Sequence, residues 1–315
     1  MLTIRRNLIA ACLLLITTSL VLPPQAGAQL SDTQSFLADI ANQYRIVPNV
    51  VYHEANNHEN TLDLYLPTNA SGPTPVLLMI HGGGWVAGTK EGQSLRLLPY
   101  LEMGWAVVNV SYRLVQVSRA PAAVEDCLCA LQWIAQNADQ YNFDLSQIVT
   151  TGNSAGGHLA LTTGLVPQSA GLNNQCAQRN FSGPSATPEV PVAAIINWYG
   201  ITDVADLTRG KNTKGYAVEW MGNLINRRDI ARLVSPLSHI SANTPPILTI
   251  HGDADPLVPY SQATRLHTAL EGVGVQNTLH TVPGGGHGGF NTDETIAIYE
   301  SIYRFLDQHG LGGSH

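Results

Sequence analysis

The 315-residue sequence predicts an α/β protein. Its expected architecture is a mostly parallel central sheet of about eight strands with helices on both faces and small lid-like inserts. Three observations predict it. Short continuous apolar runs alternate with amphipathic helical patterns, as a parallel sheet covered on both faces requires. Glycine-rich turns close several of these runs, where the chain must bend sharply out of the sheet. The composition, 44% hydrophobic and only 12% charged, supplies one sizeable core and excludes a disordered chain.

The expected strands lie at residues 50–53, 61–66, 75–80, 105–110, 147–151, 192–198, 246–250 and 278–282. The second alternates apolar and polar residues and should pair with the first, whereas the later runs are continuously apolar. Helical patterns occupy 92–102, 122–141, 155–165, 260–272 and 295–309. Two stretches break the alternation: 166–191, rich in Gly, Ser, Asn and Pro, and the longer insert 202–243. Both follow strands whose carboxyl ends should form the ligand-binding edge of such a sheet, so both are expected as walls or a lid of a pocket.

Residues 1–28 have the parts of a secretory signal peptide: Arg5 and Arg6, an apolar stretch from Leu8 to Leu22, and the small triplet Ala26-Gly27-Ala28. Cleavage after Ala28 would leave 29–315 as one secreted or periplasmic domain without stable membrane association. Export also favours a disulfide. On a helix, Cys127 and Cys129 would project about 200° apart, so the better pairing joins one of them to Cys176. The net charge of −7, with no basic patch, argues against a nucleic-acid partner.

The chemistry concentrates at three turns. Gly152-Asn153-Ser154-Ala155-Gly156 follows one expected strand and opens a helix. Such a turn forces a serine into a strained conformation, lifts its hydroxyl above the sheet, and leaves room only for glycine on either side. His81-Gly82-Gly83-Gly84-Trp85 closes another strand, and its unobstructed amides suit a developing anion. Gly83 and Gly84, with Ala155 at the helix start, are therefore the expected oxyanion donors. A phosphate loop would need a following Gly-Lys-Ser/Thr, which is missing.

A nucleophilic serine needs a base held by a carboxylate. His287 lies in the glycine-rich turn after the last expected strand, and Asp253 and Asp255 follow the strand before it. Asp255 is farther past its strand end and is expected to reach His287, while Asp253 bonds local amides. His81 and His251 each end a strand and are read as structural, and His158 as packed. His53 and His58 would lie about 140° apart on a helix, which excludes a shared zinc. No metal or cofactor is implied.

Together, His81–Trp85, Ser111-Tyr112-Arg113-Leu114, Gly152–Gly157, His251-Gly-Asp-Ala-Asp255-Pro-Leu-Val-Pro259 and the Gly-His287-Gly turn resemble the α/β-hydrolase superfamily. The resemblance spans 60–306 and is strongest to bifunctional carbohydrate acetyl esterases/feruloyl esterases and to hormone-sensitive-lipase-like esterases. It implies the same assignment: Ser154 as nucleophile, His287 as base, Asp255 as its partner, and the Gly83, Gly84 and Ala155 amides as oxyanion donors. It also implies a structural ion pair between Arg113 and Asp126. The expected substrate is a small-molecule or polysaccharide-linked ester, first an acetylated or feruloylated saccharide, with Trp85, Trp198, Tyr199 and also Trp220 lining the cleft. A general short-acyl carboxylesterase is the alternative, and amide-cleaving relatives share the same residues. A non-catalytic binding protein on this fold would be expected to have lost the serine, the histidine or the glycines, all of which are present.

Overall fold

The computed structural model describes residues 38, 40–176, 190–223 and 225–312. The expected leader at 1–28 and residues 177–189 of the first irregular stretch lie outside the described residues. The chain divides into two units, Met1–Ala41 and Asn42–His315. In the first, Ala38, Ile40 and Ala41 are helical.

The second unit holds an eight-stranded sheet in the order β1-β2-β4-β3-β5-β6-β7-β8. Its strands are β1 (Tyr44–Ala55), β2 (His58–Pro67), β3 (Thr74–Ile80), β4 (Ala106–Val110), β5 (Phe143–Asn153), β6 (Ala194–Trp198), β7 (Ile247–Gly252) and β8 (Asn277–Val282). β2 pairs antiparallel with both β1 and β4, and the strands from β4 to β8 run parallel. Every residue of β4, β6 and β7 is buried, which is why these strands read as unbroken apolar runs. β1 and β8, at the edges, are partly exposed.

The described helices are α1 (Leu98–Glu102), α2 (Ala122–Gln136), α3 (Ala138–Tyr141), α4 (Ala155–Leu165), α5 (Gly215–Met221), α6 (Arg227–Leu233), α7 (Ser261–Gly272) and α8 (Thr292–Gln308), with short 3-10 turns between. Three differ from expectation. The stretch 92–102 is a 3-10 turn, Lys90–Arg96, followed by α1, because Pro99 has no amide to continue a helix through it. The stretch 122–141 breaks at Asn137, whose side-chain amide donates to the Trp133 carbonyl at 2.7 Å and competes with the backbone ladder. The last helix starts three residues early, because Asn291 and Glu294 form a reciprocal capping box.

α4 packs on β5, β6 and α2 and is buried along almost its whole length. Arg113 is sealed in the core with Asp126, at 2.8 Å from Nη2 and at 2.9 Å from Nε. The disulfide joins Cys129 to Cys176 and leaves Cys127 as a buried free thiol. This resolves which of the two α2 cysteines pairs, and it ties the first half of the first irregular stretch to a core helix. The cap of α8 is local and testable. Asn291→Ala should lower unfolding stability by about 1 kcal/mol, read as a fall in the urea midpoint without a change in slope.

Candidate active site

The turn after β5 is built by close backbone approach. Ser154 has φ 57° and ψ −120°, a left-handed region that costs a side-chain-bearing residue energy. It is held there by its amide, which donates to the Trp198 carbonyl at 2.8 Å, and by the start of α4 directly behind it. A Cβ on Gly152 would stand 2.4 Å from the Ile80 carbonyl oxygen, and one on Gly156 only 2.2 Å from it. Only glycine fits at either place, because the end of β3 presses directly on the turn.

The Gly-rich loop that follows β3 is therefore set against the serine turn. A Cβ on Gly82 would lie 2.6 Å from the Asn153 carbonyl oxygen. Gly83, Gly84 and Trp85 follow with φ of 117°, 61° and 61°, and Val86 and Ala87 fold back to donate to the Gly83 carbonyl. His81 anchors the loop: its ring stacks on Tyr112 at 4.2 Å, and Nδ1 donates to the Gly82 carbonyl at 2.8 Å. Among the described residues no acceptor takes the amides of Gly83, Gly84 or Ala155. Three free amides thus sit on the two adjoining loops that follow β3 and β5.

Beyond β7, Asp255 turns its carboxylate back under its own loop. Oδ1 accepts from the amides of Leu257 at 2.7 Å and Val258 at 2.9 Å. Oδ2 lies 2.6 Å from His287 Nδ1 and 3.3 Å from His251 Nε2. Burial alone would raise this acid, but hydrogen bonds from His251, His287 and the Val258 amide hold it well below the usual carboxylate range. Asp253 instead accepts from the Gly284 amide at 2.6 Å. It staples the β7 and β8 loops together, so its partner is a distant amide and not the local ones the sequence reading expects. Those loops also meet through the Ala254 amide and the Gly285 carbonyl at 3.0 Å.

The structure thus joins Asp255 to His287 directly. The Asp255 side chain is sealed, while the imidazole of His287 keeps 16% of its surface exposed and opens outward. Tyr199 links this pair to the serine turn. Its ring lies 4.6 Å from the His287 ring, and a Cβ on Gly288 would come within 2.8 Å of its hydroxyl. Burial raises the Tyr199 phenol, against Arg96 and Asn153, which favour its anion.

Some expected wall residues are not walls. Trp85 is fully buried, stacked on the equally buried Trp220 at 4.1 Å, with His158 edge-on to both. His158 in turn reaches the Val234 carbonyl at 2.7 Å, so this trio is core. Its positive φ turns Trp85 inward, which a sequence cannot announce. Trp198 and Tyr199 are largely buried yet reach the site, Tyr199 through His287 and Trp198 through a small cavity beside Asn153. Two residues that reach the site were not assigned to it from the sequence. His251, expected to be structural, touches the Asp255 carboxylate. Tyr216 on α5 closes over Gly84, within 3.0 Å of where a Cβ would stand, and its hydroxyl donates to the Leu257 carbonyl at 3.1 Å. The insert 202–243 therefore does form a wall, also pinned by Lys214 to the Pro256 carbonyl at 2.7 Å. His53 and His58 lie on a β-hairpin, with His53 buried 3.8 Å from Asp126. Among the described residues no group of His, Cys, Asp and Glu is placed to hold a metal.

With this geometry in view, the comparisons are specific. The BD-FAE family model matches residues 62–270, about two thirds of the chain. The chain belongs to the BD-FAE family. A second model, for TAP-like proteins, matches residues 230–311. Relatives include esterase LipQ of Mycobacterium tuberculosis, 28% identical over 79% of this chain and 59% of its own length. The probable carboxylic ester hydrolase LipM of the same organism is 31% identical over 70% of this chain and 51% of its own. The chain thus spans little more than half the length of these relatives. Among solved structures, a truncated carbohydrate esterase from gut microbiota superposes with a TM-score of 0.67 and 27% identity, covering 85% of this chain and 98% of that one. Thermogutta terrifontis esterase 2, at 24% identity and a TM-score of 0.69 over 87% of this chain and 97% of that one, shares the α/β-hydrolase fold.

In this BD-FAE member, a hydroxyl on a strained turn, an imidazole braced by a buried carboxylate and three free amides are the parts that acyl transfer needs. Two histidines near these parts also make stability depend on pH. Burial pulls both His81 and His158 down to about 4. The unfolded chain therefore binds protons that the folded one refuses, and stability is lost as pH falls from about 6.5 toward 4. Between pH 7 and pH 5 the unfolding free energy should drop by about 2 kcal/mol for each imidazole. Urea titrations at the two pH values, repeated with His158→Gln to remove the share of that one imidazole, check this.

Proposed function

We propose that the protein is a secreted serine ester hydrolase that works through an acyl-enzyme on Ser154. The observation that carries this reading is the 2.6 Å contact between Asp255 and His287, two loops away from the strained serine. His287 Nδ1–H donates to Asp255, so its Nε2 is the free base that takes the Ser154 proton as the oxygen attacks an ester carbonyl. The amides of Gly83, Gly84 and Ala155 receive the oxyanion. The imidazolium then protonates the departing alcohol, and water activated by the same nitrogen releases the acid.

The esterase names of its relatives support the reaction class. For the substrate we favour acetyl or feruloyl esters of carbohydrates. The gut-microbiota carbohydrate esterase and the acetyl ester-xyloside bifunctional hydrolase of Caldicellulosiruptor lactoaceticus are similar proteins whose names point that way. Secretion rests on the leader-like residues 1–28. A second reading, a short-acyl carboxylesterase, is favoured by the burial of Trp85 and Trp220, which removes two of the aromatic faces a sugar cleft would use.

Ser154→Ala should lower hydrolysis of p-nitrophenyl acetate by about 10⁴-fold or more, with an unchanged circular dichroism spectrum and no fluorophosphonate labelling. Turnover retained in that variant overturns the nucleophile. The neighbouring histidine is testable as a positioning residue. His251→Leu removes one donor from Asp255 Oδ2 and loosens the carboxylate that orients His287, so kcat for p-nitrophenyl acetate should fall about tenfold, while His251→Gln, which keeps an N–H donor, restores most of it.

A further inference from the structure

Arg96 ends the 3-10 turn that follows the Gly-rich loop, and it is exposed. Among the described residues it makes no ion pair with a carboxylate, although Lys90, Arg113 and Arg265 all do. Its surroundings are aromatic instead. The guanidinium carbon lies 6.0 Å from the Trp198 ring centroid, and Trp198 in turn packs against Tyr299 at 5.9 Å. Arg96, Trp198, Tyr299 and Asn153 wall one small cavity, with Gln93 and Tyr100 at its back. Asn153 is the residue before Ser154. The buried polar atoms Gln93 Oε1 and Asn153 Oδ1 have no partner there. Arg96 also favours the anions of the Tyr199 and Tyr299 phenols. A cation with no carboxylate partner among the described residues thus lies beside aromatic rings and shares a cavity wall with Asn153, the residue before Ser154, in a chain whose net charge is −7.

We propose that Arg96 is a specificity-determining residue that binds a carboxylate on the ester substrate. A guanidinium offers a planar pair of donors that matches a carboxylate, and the Trp198 ring lies within cation–π range of it. The substrate class is then an anionic ester, with the charge on either the acyl group or the alcohol, as on a uronic acid. This rests on the ester-hydrolase reading above and narrows it.

Two pairs of esters separate the sources of the charge. p-Nitrophenyl hemisuccinate against p-nitrophenyl butyrate places the carboxylate on the acyl side, and a ring-carboxylated p-nitrophenyl acetate against the plain acetate places it on the alcohol side. For at least one pair, kcat/KM should favour the charged ester about tenfold, and this preference should shrink as salt is raised. Arg96→Gln should reduce the charged-to-neutral ratio about tenfold, chiefly through KM, and Arg96→Lys should recover part of it. If the ratio in both pairs is the same in the wild type and Arg96→Gln, the subsite is overturned while hydrolysis of the neutral esters still upholds the esterase. Binding of the hemisuccinate ester to Ser154→Ala by calorimetry, with and without Arg96→Gln, reads the subsite even if no ester turns over. Equal affinity in the two proteins would overturn it.

Discussion

The end of β3 and the turn after β5 approach so closely that no side chain fits between them, and the site is assembled around that approach. Ile80 and His81 present their carbonyls where Gly156 would carry a Cβ, and Gly82 lies on Asn153 in the same way. The two strands pair in parallel with Ile80 opposite Gly152, so both turns leave the sheet at the same level. A methyl group at Gly156 would have to move backbone, not a flexible side chain, and the serine turn would part from the loop bearing Gly83 and Gly84. The spacing between the Ser154 backbone and the free amides is therefore a property of two backbones, and only the χ1 angle of Ser154 is left to place the hydroxyl.

The opposite half of the site is organised by charge. Asp255 sits in a sealed position that by itself disfavours an anion, and its oxygens are met by two backbone amides and two imidazoles. Val258 O lies 3.0 Å from His251 Nε2 and can only accept, so that nitrogen carries the proton and can also face Asp255. This arrangement keeps the carboxylate ionised and fixed in direction, while His287 alone opens toward the outside. The contrast between sealed acid and accessible imidazole is what lets one group orient and the other exchange protons.

Much of this was legible in the sequence because it depends on local requirements. Continuous apolar runs marked the inner strands, since they are buried on both faces, and flanking glycines marked the serine turn, since nothing larger fits. The choice of Asp255 over Asp253 followed from distance past a strand end. What was not legible depends on contacts between distant residues. Trp85 looked like a cleft aromatic, but a positive φ turns it onto Trp220, more than a hundred positions later. His251 was read as structural although Asp255 lies only four residues on, because the sequence pattern does not show that the turn between them folds the carboxylate back onto the ring. The Asn291 and Glu294 box was visible as Asn-x-x-Glu, and the helix start was placed after it because the apolar pattern begins later.

The insert 202–243 shows how such a scaffold changes its pocket without changing its chemistry. Lys214 and Tyr216 pin it to the carbonyls of Pro256 and Leu257, on the loop that holds Asp255, and Tyr216 also covers Gly84. These attachments use side chains of the insert and backbone of the catalytic loops. Different residues in the insert can therefore reshape the wall while the serine turn, the free amides and the acid–imidazole pair stay where the sheet puts them. Arg96 stands apart from that insert, on the turn behind the Gly-rich loop. Pocket shape and charge selection are thus carried by separate segments, each able to vary alone.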